Sequence, residues 1–342
     1  MIDIVIPNYN GRAFLSVCLK AIRAQSFRDW RVIVVDNGSE DDSSALLQEH
    51  FPEVRLVQLA ENTGFSAAVN TGIASGDADL VFLLNNDTEL APDCLEQLAR
   101  AARQWPEAGF FAARLVNFHE RHLLDGAGEG FLRGGAGYRL GTMEEDGPAY
   151  ALPRPVFGAC AGAALYRRQT LQEVGAFDPD FFAYLEDVDW NLRAARLGKI
   201  CRYVPEARVF HIGSATTGSR FNDLTIRLST RNAFFVLARN YSLALFVRYA
   251  LVIAAYQFCW LLFVLKKRHF GAYWQGLREA LWGWPGMRRK FRQGIGAAEI
   301  APPLLRARLR EAERESIHSI MRRRAAAGKG NGLLLLYLRL FC

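Results

Sequence analysis

Four groups of residues in this chain could do chemistry together. Asp36 closes the apolar run of "VIVVDNGSEDDS", where a carboxylate can accept the ring N–H of a uracil or thymine. Asn85, Asn86 and Asp87 follow four apolar residues in "VFLLNNDTEL". A hard divalent cation takes oxygen ligands, and one carboxylate suffices if a nucleoside diphosphate completes the shell. The two amides can bind a ribose or the backbone. Glu186, Asp187 and Asp189 stand in "YLEDVDW" among Phe181, Phe182, Tyr184 and Trp190, a setting for a sugar ring and a general base. His211, in "ARVFHIG", offers an imidazole to a metal. Each group also has a plainer reading. Asp36 suits a turn or helix cap, and "NND" an Asx turn. The acid triplet complements a helix N-terminus. A histidine beside an apolar strand is commonly a satisfied core residue.

The elements that must position these residues alternate along the first hundred positions. Apolar runs at Ile2–Ile6, Val32–Val35, Val54–Leu59 and Leu80–Leu84 read as strands. Helical spacing covers Ala13–Ala24 and Phe65–Ala74, and "SEDDSSALLQEH" reads as a capped helix with Ser39, Asp41 or Asp42 at its start. Pro92 is expected to open a further helix near its first turn. Continuous apolar strands alternating with helices predict an α/β fold with a mostly parallel sheet covered on both faces. Ligands then bind beyond the C-terminal strand ends, where Pro7–Asn10, Asp36–Ser39, Asn62–Gly64 and Asn85–Asp87 all fall. Residues 117–155, with "GAGEGFLRGGAGYRLG", read as a Gly-rich hairpin or loop insert. "GACAGAALYRR" reads as a small-residue strand, "EDVDWNLRAARLG" as a helix ending at Gly198, and Ile200–Val204 and Val209–Ile212 as short strands.

At 342 residues, with 51% hydrophobic and 23% charged residues, the chain can bury a large core and is not compositionally disordered. The net charge of +7 suits a phosphate-bearing ligand, a nucleic acid or an anionic membrane. The excess is concentrated beyond Lys266. Six scattered cysteines without paired spacing fit free thiols in a reducing compartment, and Asp3 breaks the first apolar run too early for a secretory signal. Tyr249–Leu265 carries no formal charge and is flanked by Arg248 and by Lys266–Arg268. A spanning helix, an in-plane membrane helix and a soluble core helix remain open. The basic flanks and Trp260, Trp274, Trp282 and Trp284 favour the in-plane reading.

Taken together, "VIPNYNG", "VVDNGSEDDS", "ENTGFSAAVNTGI", "FLLNNDTEL", "GACAGAALYRR", "VGAFDPDFFAYLEDVDWNLR" and "VFHIGSAT" resemble family 2 glycosyltransferases of the GT-A fold, especially the bacterial rhamnosyltransferase-like branch that builds cell-surface polysaccharides. The matches cover about residues 2–232. The resemblance implies a catalytic domain over 1–232, with a nucleotide-sugar half at about 1–116 and an acceptor half at about 155–232. A basic, aromatic, membrane-associated helical region then fills 233–342. It implies that Pro7, Tyr9 and Asp36 line the nucleoside pocket, that Gly64 passes near the base and that Asn86 faces the ribose. Asp87 would hold Mg²⁺ or Mn²⁺ with help from His211, and Arg231 would lie near the diphosphate. Asp187 would be the general base, with Glu186 and Trp190 near the acceptor. The implied reaction is inverting transfer of a sugar from a nucleotide-diphosphate donor, dTDP-rhamnose favoured and a UDP-sugar possible, to a glycan or polyprenyl-linked hydroxyl. Its implied place is the cytoplasmic face of the inner membrane, on an anionic surface and without nucleic acid. Asn85 departs from the pattern, since many members carry an acid there. Nucleotidyl transfer and non-catalytic nucleotide-sugar or glycan binding are the competing readings.

Overall fold

The computed structural model describes residues 1–213, 221–294 and 299–342. The last three residues of the "VFHIGSAT" match, 214–216, lie outside them. The first part follows the expected alternation: β1 (Ile2–Asn8), α1 (Arg12–Arg23), β2 (Trp30–Asn37), α2 (Ser43–His50), β3 (Arg55–Leu59), α3 (Phe65–Ala74) and β4 (Leu80–Leu84). β3, β2, β1 and β4 lie side by side and parallel. Ile2, Ile4, Val5 and Ile6 are all buried because helices cover both faces of the sheet, so the run shows no alternation. The inserted Asp3 is held inside by Arg31, Arg168 and the amide of Ala78.

The chain continues through β5 (Thr88–Leu90), α4 (Cys94–Gln104), β6 (Ala108–Asn117), β7 (Leu124–Ala127), β8 (Glu129–Leu132), β9 (Ala136–Arg139), β10 (Arg154–Val156), β11 (Ala163–Arg167), α5 (Arg168–Val174), α6 (Glu186–Arg196) and β12 (Ile200–His211). The sheet runs β10-β12-β6-β11-β4-β1-β2-β3, with β11 antiparallel to both neighbours. Three expectations are corrected. Pro92 stands before the helix, whose N-cap is Asp93; its carbonyl accepts from Ser26. The fully buried strand β6 lies where no strand was expected. β12 is one strand rather than two, because a register shift between Val204 and Arg208 absorbs Pro205, which has no N–H for the ladder. The Gly-rich stretch is a hairpin of β8 and β9.

Five helices complete the fold: α7 (Asp223–Asn240), α8 (Leu243–Lys267), α9 (Phe270–Gln293), α10 (Pro302–Ala326) and α11 (Gly332–Phe341). The expected boundary at 232/233 falls inside α7, so it does not separate two units. Phe181, Val188 and Leu192 share one core cluster with Phe235, Leu237, Leu305 and Leu309. Arg133, at the hairpin, forms a buried ion pair with Glu313 of α10. α8 is long and apolar enough to cross a membrane, with mean hydropathy 1.7 and only 17% of its apolar window buried. Leu243, Val247, Leu251, Phe258, Leu262 and Leu265 form an exposed row along it.

Candidate active site

The C-terminal ends of β1, β2 and β4 bring the first polar clusters together. Asn8 links them: its Nδ2 donates to Asp36 Oδ1 at 3.1 Å, and its Oδ1 accepts from Asn86 Nδ2 at 2.7 Å. Ser44 Oγ donates to the other Asp36 oxygen. Asp36 is thus a buried, oriented acceptor, and one N–H of the buried Asn86 amide is used inside the protein. A Cβ on Gly11 would clash with both amides. Pro7 and Tyr9 remain partly exposed beside them. Gly64 has φ of +85°, and a Cβ there would stand 2.6 Å from the Phe182 ring and carbonyl. Only glycine lets the residue 62–66 turn pack against the loop that precedes α6.

The cation side is built by β5 pairing with β12, which sets His211 opposite Thr88. His211 Nε2 stands 3.4 Å from Asp87 Oδ1, and Nδ1 stands 2.6 Å from Asp125 Oδ2. Arg139 pairs with Asp125 from behind. Burial pulls the His211 pKa down, but the bonds and charges of Asp125 and Asp87 outweigh it and raise it to about 9. Burial likewise pushes Asp87 up, and His211 more than offsets this, leaving it below the usual carboxylate range. The two flanking carboxylates favour the protonated imidazole when no cation is bound. Among the described residues no group of three or more His, Cys, Asp or Glu converges as a complete cation site. The pair nevertheless fits a divalent cation, since adjacent ligands each about 2.1 Å from one ion stand about 3.0–3.5 Å apart. Asp125 at Nδ1 supplies the outer carboxylate that commonly orients a ligating histidine.

The base side hangs from the same frame. Asn85 N–H donates to the Gly162 carbonyl at 2.9 Å, and the neighbouring Ala161 N–H donates to Asp187 Oδ2 at 3.2 Å. Residues 161–162 therefore bridge the "NND" tip and the expected base. Asp187 Oδ1 also accepts from Val188 N–H at 2.9 Å. Glu186 is buried, and its Oε2 has no partner. Burial, reinforced by the Asp187 charge, raises its pKa well above the ordinary value. Asp187 is raised too, by burial opposed by its two N–H donors and by Arg139. Of the two, Glu186 keeps the proton and Asp187 is the anion, because Asp187 has more donors for a negative charge and the Arg139 charge nearby, while Glu186 Oε2 has no partner. The loop before α6 is strained: Phe182, Tyr184 and Leu185 have φ of 63°, 67° and 64°. Phe182 centres a γ-turn closed by Ala183 N–H to the Phe181 carbonyl at 2.8 Å.

The other expected residues are redistributed. Trp190 is fully buried, stacks on Phe177, meets Phe110 and Tyr166 edge-on, and donates Nε1–H to the Gly175 carbonyl. It is a core residue and reaches no acceptor, because three residues along a helix from Asp187 it points into the sheet. Asp189, also fully buried, is held by Arg193 at 2.9 Å and Asn240 at 2.7 Å. Burial raises its pKa, but Arg193 and Arg239 outweigh that and leave it lowered, so it is a structural anion. Arg231 donates to the Phe181 carbonyl at 2.7 Å and lines a cleft between α7 and α9, so it supports the loop that precedes α6.

Several contributors escape the sequence reading. Glu129, buried and hydrogen-bonded to Asn191 at 2.8 Å, is raised well above the ordinary range by burial and then by Asp187. Asp125, Glu129 and Arg139 all come from the stretch read as a Gly-rich insert; acids and an arginine alternating with glycines were the available signal. Asn232, fully buried, lies within bonding distance of the Phe181, Ala183 and Tyr184 carbonyls at 3.0, 2.9 and 2.6 Å. An anionic carboxylate on one side of a short bridge and a carboxylate–imidazole pair on the other can accept a proton from one group and hold a charge-balancing cation near another.

The sequence signature "Glycosyl transferase family 2" matches residues 3–175. An N-acetylglucosaminyl-diphospho-decaprenol L-rhamnosyltransferase of Mycobacterium tuberculosis (strain ATCC 25618 / H37Rv) is 30% identical over 240 residues, 64% of this chain and 78% of that protein. An uncharacterized glycosyltransferase of Bacillus subtilis (strain 168) is 26% identical over 241 residues, 65% of this chain and 78% of that protein. The crystal structure of GalNAc-T7 with UDP, GalNAc and Mn²⁺ has a TM-score of 0.57 at 14% identity, over 70% of this chain and 48% of that one. The chain thus spans about half the length of that structure, and the likeness concerns the fold.

Proposed function

The chain belongs to glycosyl transferase family 2 and has a GT-A-like fold, and from that premise we propose that it transfers a sugar, with inversion, from a nucleotide-diphosphate donor to a hydroxyl of a lipid-linked glycan. dTDP-rhamnose is the favoured donor and a polyprenyl diphosphate glycan the favoured acceptor, in line with the rhamnosyltransferase relative. The observation that carries the reading is the bridge of residues 161–162 between Asp187 and the segment bearing Asp87. Asp187 accepts the acceptor hydroxyl's proton as the new oxygen–carbon bond forms at the anomeric carbon. The bond from that carbon to the diphosphate oxygen breaks on the opposite face, and the nucleoside diphosphate leaves. A Mg²⁺ or Mn²⁺ held by Asp87 and His211 would neutralise charge on that leaving group. Asp36 orients the base, and Asn232 and Arg231 hold the loop that presents Asp187. The exposed apolar row of α8 supports an in-plane position on the cytoplasmic membrane surface, where a lipid-linked acceptor is met.

The test is turnover of labelled nucleotide sugars on a polyprenyl-diphosphate-linked acceptor with Mg²⁺ or Mn²⁺, with released nucleotide and product anomer identified. A nucleoside diphosphate and an inverted product are expected, and Asp87→Ala should abolish both turnover and metal-dependent donor binding while melting as the parent does. Release of pyrophosphate, or full activity in Asp87→Ala, would refute the assignment.

A further inference from the structure

The cleft that receives Arg231 has the chemistry of a second site. It encloses about 770 Å³ between α7 and α9. Arg227, Arg231 and Arg278 line it, and Glu279 is shared by the first two, 3.4 Å from Arg227 and 3.8 Å from Arg231. Asp180, at the rim, is already paired with Lys290 at 2.8 Å. Arg278 is exposed and makes no hydrogen bond or ion pair among the described residues. Three guanidiniums against the single Glu279 carboxylate leave an excess of two positive charges, which suits a diphosphate diester.

The cleft also has an apolar side. Trp274, Arg278 and Trp282 recur at every fourth position of α9 and so share one face. The two indoles are 53% and 85% exposed. Phe235 forms part of the floor, close enough that a Cβ on Gly283 would strike its ring. α8, the preceding helix of the same hairpin, carries the exposed apolar row described above. Exposed tryptophans beside cations and an apolar helix are the composition of a protein face at a membrane interface. On its inner side the cleft ends at the base loop, because Arg231 lines the cleft and donates to the Phe181 carbonyl.

We propose that this cleft binds an amphiphile with a diphosphate head and an isoprenoid tail, namely the carrier part of the lipid-linked acceptor, with the glycan directed along the 181–187 loop toward Asp187. The proposal rests on the transferase reading above. Arg227 and Arg278 hold the head, Trp274 and Trp282 border the tail, and Arg231 couples the occupied cleft to the loop that carries the base. An anionic phospholipid headgroup shares part of this chemistry, so the test must separate the two sources.

Full-length protein in neutral detergent micelles is titrated with farnesyl diphosphate, followed by tryptophan fluorescence. Inorganic pyrophosphate, farnesol and micelles doped with phosphatidylglycerol serve as the comparison arms. Farnesyl diphosphate should bind well ahead of all three. Arg227→Gln/Arg278→Gln should weaken it by about tenfold or more, the scale of losing a charged hydrogen bond, and raise the KM of the lipid-linked acceptor while nucleoside diphosphate binding stays within about twofold of the parent. Should the double variant fail to fold, Arg278→Gln alone carries the test, because that side chain has no partner to lose. Unchanged farnesyl diphosphate binding in a folded variant, or phosphatidylglycerol competing equally, would overturn the proposal. Failure of the transferase reading is recognised separately: the parent would then release no nucleoside diphosphate from any donor, whatever the binding curves.

Discussion

Removing Asn232 should uncouple the base from its frame. The amide has two N–H groups aimed at three carbonyls, those of Phe181, Ala183 and Tyr184, so two bonds are made at a time. Each contributes about 1 kcal/mol net, and a buried carbonyl left unpaired costs about 1–3 kcal/mol. Against this stand Phe182, Tyr184 and Leu185, whose positive φ stores about 1–3 kcal/mol per residue. Asn232→Ala therefore loses about 2–3 kcal/mol of restraint while the stored strain remains. The loop then relaxes toward ordinary φ and carries Asp187 with it. For a chain of this length the melting temperature should fall by about 3–4 °C. A displacement of about 1 Å at a reacting group can cost about a hundredfold in rate, so kcat should drop by about 10- to 100-fold. Donor Kd should stay within about threefold, because Asp36 and Asp87 are held by other elements. The assay pairs single-turnover transfer with nucleotide binding and a melting curve, using Asn232→Asp as the isosteric control that keeps shape but loses the donors. A kcat within about twofold of the parent, in a protein that melts several degrees lower, would show that the amide serves stability alone and that the strained loop holds itself.

Three further outcomes follow from the acids and from α8. Asp187→Asn should lower kcat by about 10² to 10⁴, and the acid limb of the parent's pH profile should lie above the usual aspartate range, since burial raises Asp187 and the rate is lost as pH falls through that value; a parent-like rate in the variant refutes the base assignment. Glu186 is raised above its unfolded value, so its ionisation destabilises the fold as pH rises from about 4.5; Glu186→Gln should melt higher than the parent at neutral pH and not at pH 4. The protein should sediment with anionic vesicles and be partly released by high salt, and Leu251→Glu, within the exposed row of α8, should weaken this further. Equal sedimentation of parent and variant, or none by either, refutes the in-plane reading.

The first part of the chain, through β4, was largely legible because its strands are buried on both faces. Ile2–Ile6, Val32–Val35 and Leu80–Leu84 therefore read as unbroken apolar runs, and the polar residues that end them had to meet at one edge. The rest was hidden for specific reasons. β5 is three residues long and owes its existence to pairing with β12. β12 is interrupted by Pro205, so its two halves looked like separate strands. Glu129 and Arg139 lie in a Gly-rich hairpin whose composition suggests a loop, and Asp125 lies in β7 just before it, yet strand pairing brings them beside His211 and Asp187. Asn232 was passed over beside Arg231, although the buried amide makes the more extensive contact with the base loop.

The acid triplet shows most clearly what spacing can and cannot say. Glu186, Asp187 and Asp189 begin one helix, and successive residues on a helix point about 100° apart, so they cannot share one environment. Asp189 turns inward to Arg193 and Asn240 and is anionic because it is paired. Glu186 is buried with one carboxyl oxygen unpartnered and keeps its proton. Asp187, between them, receives two backbone N–H groups, one of which comes from the loop that also receives Asn85. It is stabilised enough to be charged, yet burial keeps it more basic than a free aspartate, as a general base requires. The helix N-terminus alone would have favoured all three acids equally. The supply of donors distinguishes them: besides Val188 and Arg193 of α6 itself, it comes from Ala161 and from Asn240 of α7, far away in the chain.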